Sequence, residues 1–92
     1  MANVTVDITA QNTWTDSIRP RLGNLAISIS TIGTSNTVTV QRSFDNSNWV
    51  DVKTYDEVSE ENIVDPTQFV FYRIGVATGN YGSGTVTVTL VG

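Results

Sequence analysis

Apolar and polar residues alternate one by one along most of this chain, a period that marks strands rather than helices, because side chains two residues apart share a face of a strand. The stretch Val38 to Tyr55, VTVQRSFDNSNWVDVKTY, shows it best: two alternating runs joined by Asp45, Asn46, Ser47 and Asn48, all turn formers. Val38, Val40 and Phe44 fall on one face of the first run, and Thr37, Thr39, Gln41 and Ser43 on the other. Past the turn, Val50 and Val52 alternate with Trp49, Asp51, Lys53 and Tyr55. The pattern predicts a hairpin with both valines in the core and Trp49 and Tyr55 outside.

The same reading predicts strands at Asn3–Ala10 (Val4, Val6, Ile8 and Ala10 inward), Leu25–Thr31, Gln68–Val76 and Thr85–Val91, with a short edge strand around Glu61–Val64 that Pro66 ends. Residues 11–24, QNTWTDSIRPRLGN, form the longest stretch without alternation. They read as a loop of the length that carries function in compact domains. No window has helical period, and no segment repeats. The expected fold is all-β: residues 1–92 as a single antiparallel β-sandwich, immunoglobulin-like or jelly-roll, of about seven strands. Val40, Val50, Val52, Tyr72, Ile74, Val86 and Val88 are its expected core.

Composition narrows the chemistry. The chain has neither cysteine nor histidine, which removes disulfides, thiolate nucleophiles, Cys/His zinc sites and the usual general base. Net charge is −4 with five basic residues, the wrong sign for a phosphate-binding surface, so nucleic acid is not an expected partner. No apolar run approaches the roughly 20 residues of a spanning helix, and no membrane partner is expected. The start, MANVTVDITAQ, lacks the basic and apolar regions of a secretory signal. A small domain without covalent staples often gains stability by oligomerising.

Few residue clusters hint at a site. Ser43 to Trp49 resembles an Asp-box turn, one residue short and lacking its Gly and Thr, in which the Asp carboxylate accepts backbone N–H groups. Asp56, Glu57, Glu60, Glu61 and Asp65 could offer oxygen ligands to calcium, but without tight spacing or a folding Gly they read as a solvated acidic loop. Nothing brings two acids into a cleft for glycoside hydrolysis, and the Gly-rich 78–84 segment has no P-loop Lys. We expect no enzyme activity, no catalytic residue, no metal and no cofactor. Arg42 and Arg73 interrupt the alternation on neighbouring strands and could pair with a carboxylate or stack on an aromatic ring. With Val70, Tyr72, Ile74 and Val76 inward, Phe69, Phe71 and Arg73 point outward, as Trp49 and Tyr55 do. Such a face is either a self-association surface or is covered by the second sheet or a terminal arm. Trp14, Arg19 and Arg21 in the 11–24 loop have the composition of an interface anchor.

VTVQRSFDNSNWVDV and, further on, FYRIGVATGNYGSGTVTVTL resemble, in that order, two blocks that recur in small β-sandwich virion proteins of tailed bacteriophages. Asn46-Ser47-Asn48 stands where that pattern has a Gly/Thr-rich turn, and Ala77 where it has Lys; the first 30 residues carry no part of the likeness. The resemblance implies a virion structural protein of the capsid decoration (cement) type, made in the host cytoplasm and carried on the capsid surface, with tail or head–tail components sharing the fold. On that reading Trp14, Arg19 and Arg21 meet the major capsid protein or a neighbouring subunit. Trp49, Tyr55, Phe69, Phe71 and Arg73 then serve a homo-oligomer, a trimer or dimer. The alternative is a carbohydrate-binding or host-attachment module with a sugar platform at Trp49 and Tyr55.

Overall fold

Strand pairing nests from the middle of the chain outward. The computed structural model describes residues 3–19, 24–64 and 70–92. Its eight strands are β1 (Asn3–Ile8), β2 (Thr13–Trp14), β3 (Asn24–Thr31), β4 (Val38–Ser43), β5 (Val50–Tyr55), β6 (Ser59–Val64), β7 (Phe71–Val76) and β8 (Val86–Val91). β4 pairs with β5, β3 with β6, β2 with β7 and β1 with β8, all antiparallel. Two further pairings, β3 with β8 and β4 with β7, join these pairs into sheets ordered β1-β8-β3-β6 and β2-β7-β4-β5. That order is a jelly roll, one of the two sandwiches the alternation allowed. The strand beyond the expected seven is β2.

The core lies between the sheets and follows the period-2 pattern. β8 alternates perfectly, with Val86, Val88 and Leu90 buried and Thr87 and Thr89 on the outer face. β3 contributes Leu25, Ile27 and Ile29; from the other sheet come Val38, Val40, Tyr72, Ile74 and Val76. Ile8 is fully buried, whereas Val4 and Val6 pack against the core only partly. Ala10, expected inward, is exposed, because β1 ends at Ile8 and the chain there crosses to the second sheet.

The middle of the 11–24 segment departs from the loop reading. Residues 13–18 run along β7: Thr13 pairs with Val76 and Trp14 with Gly75. The Thr15 N–H donates to the Ile74 carbonyl at 2.9 Å, and Ile18 and Tyr72 exchange both backbone bonds at 2.9 and 2.8 Å. Asp16 and Ser17 lie between the Ile74 and Tyr72 pairings, and this irregularity breaks the alternation that would have announced a strand. Thr15 and Ile18 are buried beneath it. Pro20 and Arg21 lie outside the described residues, as does Phe69.

β5 overturns its predicted phase. Val50 and Val52 are not core residues but 59% and 39% exposed, and Phe44 is 75% exposed, while Tyr55 is buried at 8%. The register explains the valines and the tyrosine. Val40 pairs with Lys53 and Gln41 with Asp51, which leaves Val52 as the extra residue of a bulge. The bulge reverses which residues face in, so Tyr55 and Lys53 point between the sheets and Val50 sits opposite exposed Arg42 at the end of the pair. Phe44 has left β4 and begins the turn.

Lys53 and Tyr55 meet Glu61 of β6, the edge strand of the opposite sheet. One carboxylate oxygen of Glu61 accepts from the Lys53 ammonium, forming an ion pair, and from the Tyr55 hydroxyl at 2.8 Å. This polar clasp links the two edge strands beside the short turn that carries the chain from β5 to β6. Burial and the adjacent carboxylate raise the Tyr55 pKa, and the bonds from Lys53 and Tyr55 lower that of Glu61. At one end of the sandwich, buried Asn36 joins the 32–37 and 80–84 turns: its amide donates to the carbonyls of Ile32 (2.6 Å) and Ser83 (2.9 Å) and accepts from the Gly82 N–H (2.6 Å).

Two outcomes test this architecture. Ile74→Ala should destabilise the fold by about 2–5 kcal/mol, as a buried aliphatic does, whereas Val52→Ala should stay within about 0.5 kcal/mol; equal losses in denaturant titration would contradict the bulge. Glu61 has a folded pKa below its unfolded one, so its contribution is complete above about pH 4.5 and is lost as pH falls through the folded value. The unfolding midpoint of Glu61→Gln should therefore fall less steeply than that of the wild type as pH drops below that point.

Candidate functional site

The outer face of the β2-β7-β4-β5 sheet gathers the chain's stacking side chains. Register puts them there: Trp14 is opposite Gly75, Gln41 is opposite Arg73, and Ser43 is opposite Phe71, all on the side away from the core. Gly75 makes room for the first of these. A Cβ at that position would collide with the Thr13 carbonyl and come within 2.9 Å of the Trp14 ring, so the indole lies directly over bare backbone. Trp14 Nε1 donates to Asn12 Oδ1 at 3.3 Å.

Arg73 occupies the centre of the face. Its guanidinium carbon is 4.2 Å from the Trp14 ring centroid and 4.4 Å from that of Trp49, so a planar cation sits against two indoles. Arg suits this role because its delocalised charge is weakly hydrated and stacks. Arg73 Nε donates to Gln41 Oε1 at 2.9 Å, and Gln41 Nε2 donates to Asp51 Oδ1 at 2.8 Å. This chain of bonds crosses β7, β4 and β5. Burial lowers the Arg73 pKa below its usual value, though the group stays a cation at any pH the protein meets. Towards one end of the sheet Arg19 lies 5.3 Å from the Phe71 ring centroid, extending the same surface.

The turn that delivers Trp49 is held by Asp45. One of its carboxylate oxygens accepts from the N–H groups of Ser47 (2.9 Å) and Asn48 (2.8 Å) and from the Ser43 hydroxyl (2.8 Å), and the other accepts from the Asn48 amide at 2.7 Å. Those bonds, the Asn48 N–H first among them, hold the Asp45 carboxyl well below the usual carboxylate range. Asn46 takes φ 60°, a left-handed conformation that Asn tolerates. The turn is thus the local device expected of an Asp-box-like sequence. Trp49 uses it to reach Arg73, with β4 lying between their strands.

Residues expected to form two separate surfaces share one. Trp14 and Arg19, assigned to a capsid anchor, lie on the same face as Trp49, Phe71 and Arg73, assigned to self-association; Arg21 and Phe69 lie outside the described residues. Tyr55 is the exception, buried toward the core and bonded to Glu61, so no platform combines it with Trp49. Of the two interrupting arginines, Arg73 stacks, while Arg42 is exposed on the other side of β4. Gln41 and Asp51, which complete the polar line beside the stack, were missed; their signal was only an outward parity shared with Arg73. The other sheet covers the opposite face of this one, so it does not cover the stack. No three described acidic residues cluster as a metal site. Comparison with protein-family models, curated proteins and solved structures gave no match.

The stack itself has a measurable energy. A double-mutant cycle between Arg73→Ala and Trp49→Ala should give a coupling of about 0.5–2 kcal/mol, the range of partly desolvated cation–π pairs. A coupling indistinguishable from zero would mean that the two side chains merely share a face.

Proposed function

We propose that this chain is a virion structural protein of a tailed bacteriophage, of the capsid decoration type, which binds the assembled head and uses the outer face of its β2-β7-β4-β5 sheet as an assembly surface. The observation that carries the assembly part of this reading is the collection of Trp14, Trp49, Phe71 and Arg73 on one side of a rigid sheet. Trp and Arg dominate the energetics of protein interfaces, and here their rotamers are held by mutual stacking before any partner arrives. The phage part rests on the resemblance of residues 37–91. The jelly roll is compatible with it, since this architecture recurs in viral capsid and lectin domains, though fold alone does not fix function.

A decoration protein acts by mass action. A partner that binds the assembled lattice and not its dissociated subunits stabilises the lattice by its own binding free energy. That task calls for a folded domain with a preformed contact face. Gly75, the Asp45 turn and the Gln41–Asp51 line all hold that face in shape.

Mass spectrometry of purified particles should find the protein in stoichiometric copies with the major capsid protein. In co-sedimentation with undecorated heads, Trp14→Ala/Trp49→Ala should weaken binding at least about tenfold per lost hot spot while the circular dichroism spectrum stays that of a β protein. Sparse copies combined with retention on immobilised glycans would overturn the decoration reading in favour of host attachment.

A further inference from the structure

We propose that the Trp14–Arg73–Trp49 stack is a receptor for a carboxylate, and that its occupant is the acidic turn at Asp56 and Glu57 of a second copy of this chain. This rests on reading the stacked face as an assembly surface and names what would lie on it.

The first argument is the incomplete coordination of Arg73. The guanidinium has five N–H donors, and among the described residues only its Nε bond to Gln41 is made. The indoles on either side supply π-electron density but no hydrogen-bond acceptor. No carboxylate of the described residues pairs with Arg73, although Asp51 is only one side chain away, turned to the Gln41 amide. A half-buried cation is costly to leave unpaired, and the geometry its fork best satisfies is the bidentate one of a carboxylate.

The second argument is the surplus of acid elsewhere. The chain carries nine carboxylates against five basic side chains. Asp56 and Glu57 are adjacent and exposed in the turn from β5 to β6, and neither side chain has a partner among the described residues. Within one molecule they do not reach Arg73. The turn follows Tyr55, which pairs with Val38, whereas Arg73 pairs with Gln41, three residues further along β4 and roughly 10 Å away. Only another molecule can bring the turn to the stack.

Charge also excludes one arrangement of the contact. A contact of this face upon itself would set Arg73 of one copy against Arg73 of the other. Seating the acidic turn of one copy on the stack of the next avoids this, either reciprocally about a twofold axis or head to tail in a ring or filament.

Sedimentation velocity tests this with two charge-reversed variants, Asp56→Lys/Glu57→Lys and Arg73→Glu. The wild type should associate at low ionic strength and do so at least tenfold more weakly at about 1 M salt, where the screening length is only about 3 Å. Each variant alone should sediment as a monomer, and an equimolar mixture should associate again, with a change in tryptophan emission, because each contact in it joins opposite charges. If Arg73→Glu fails to fold by circular dichroism, the exposed-turn variant alone decides. A wild type that is monomeric at every salt concentration overturns the proposal, as does a turn variant that associates as the wild type does. A monomer that still binds heads would overturn this contact and leave the virion reading standing. Salt-sensitive association without head binding would support the contact and overturn the virion reading.

Discussion

Strand β7 must satisfy two faces and two neighbours at once, and the rest of the molecule is arranged around how it does so. Tyr72, Ile74 and Val76 fill the core on one side, while Phe71, Arg73 and Gly75 build the outer surface on the other. One edge takes β4 along its length and the other takes the irregular run 13–18. Because side chains alternate, a one-residue slip of β7 would send Arg73 into the core and Ile74 into water. Burial of the aliphatic residues therefore also fixes the position of the cation. The precision of the outer face is inherited from the core.

The rims of the sandwich are handled by polar means. A free strand edge invites another chain to add to it. On β5 the bulge at Val52 disrupts the regular ladder, and Lys53 turns inward to Glu61. On the β2 side, Asp16 and Ser17 interrupt the pairing with β7. Val50, Val52 and Phe44 stay exposed without offering a flat strand to copy. Edge-on addition of another strand is thereby disfavoured.

Legibility in the sequence followed the same physics. β8 and β3 were readable because every second residue is aliphatic and most of the intervening ones are Thr or Ser, so alternation and burial coincide. β7 was readable from Tyr72, Ile74 and Val76 for the same reason. β5 was misread because alternation reports phase only while a strand is regular; one bulged residue reverses it, and nothing in VDVKTY marks Val52 as the extra one. β2 was missed because two paired residues are too few to show a period. The members of the stacked face were visible as outward aromatic and basic residues. Their convergence was not, because Trp14 and Trp49 belong to segments whose place beside β7 is set by pairing at long range.

The nested pairing also has a kinetic meaning. β4 and β5 are joined by a six-residue turn, whereas the outermost register joins Asn3 to Val91, almost the whole length of the chain. Closing a loop costs entropy that rises with its length, and folds dominated by distant pairings form slowly. The expected order is therefore from the central hairpin outward, with the segment that carries Trp14 among the last to dock. Trp49 and Arg73 can meet once β4, β5 and β7 have joined, but the second indole arrives only when the long-range pairing of β2 is made. A partly folded chain thus offers half a clamp. The complete stack serves as a mark of a finished molecule, and a partner that requires both indoles would select folded copies over unfinished ones.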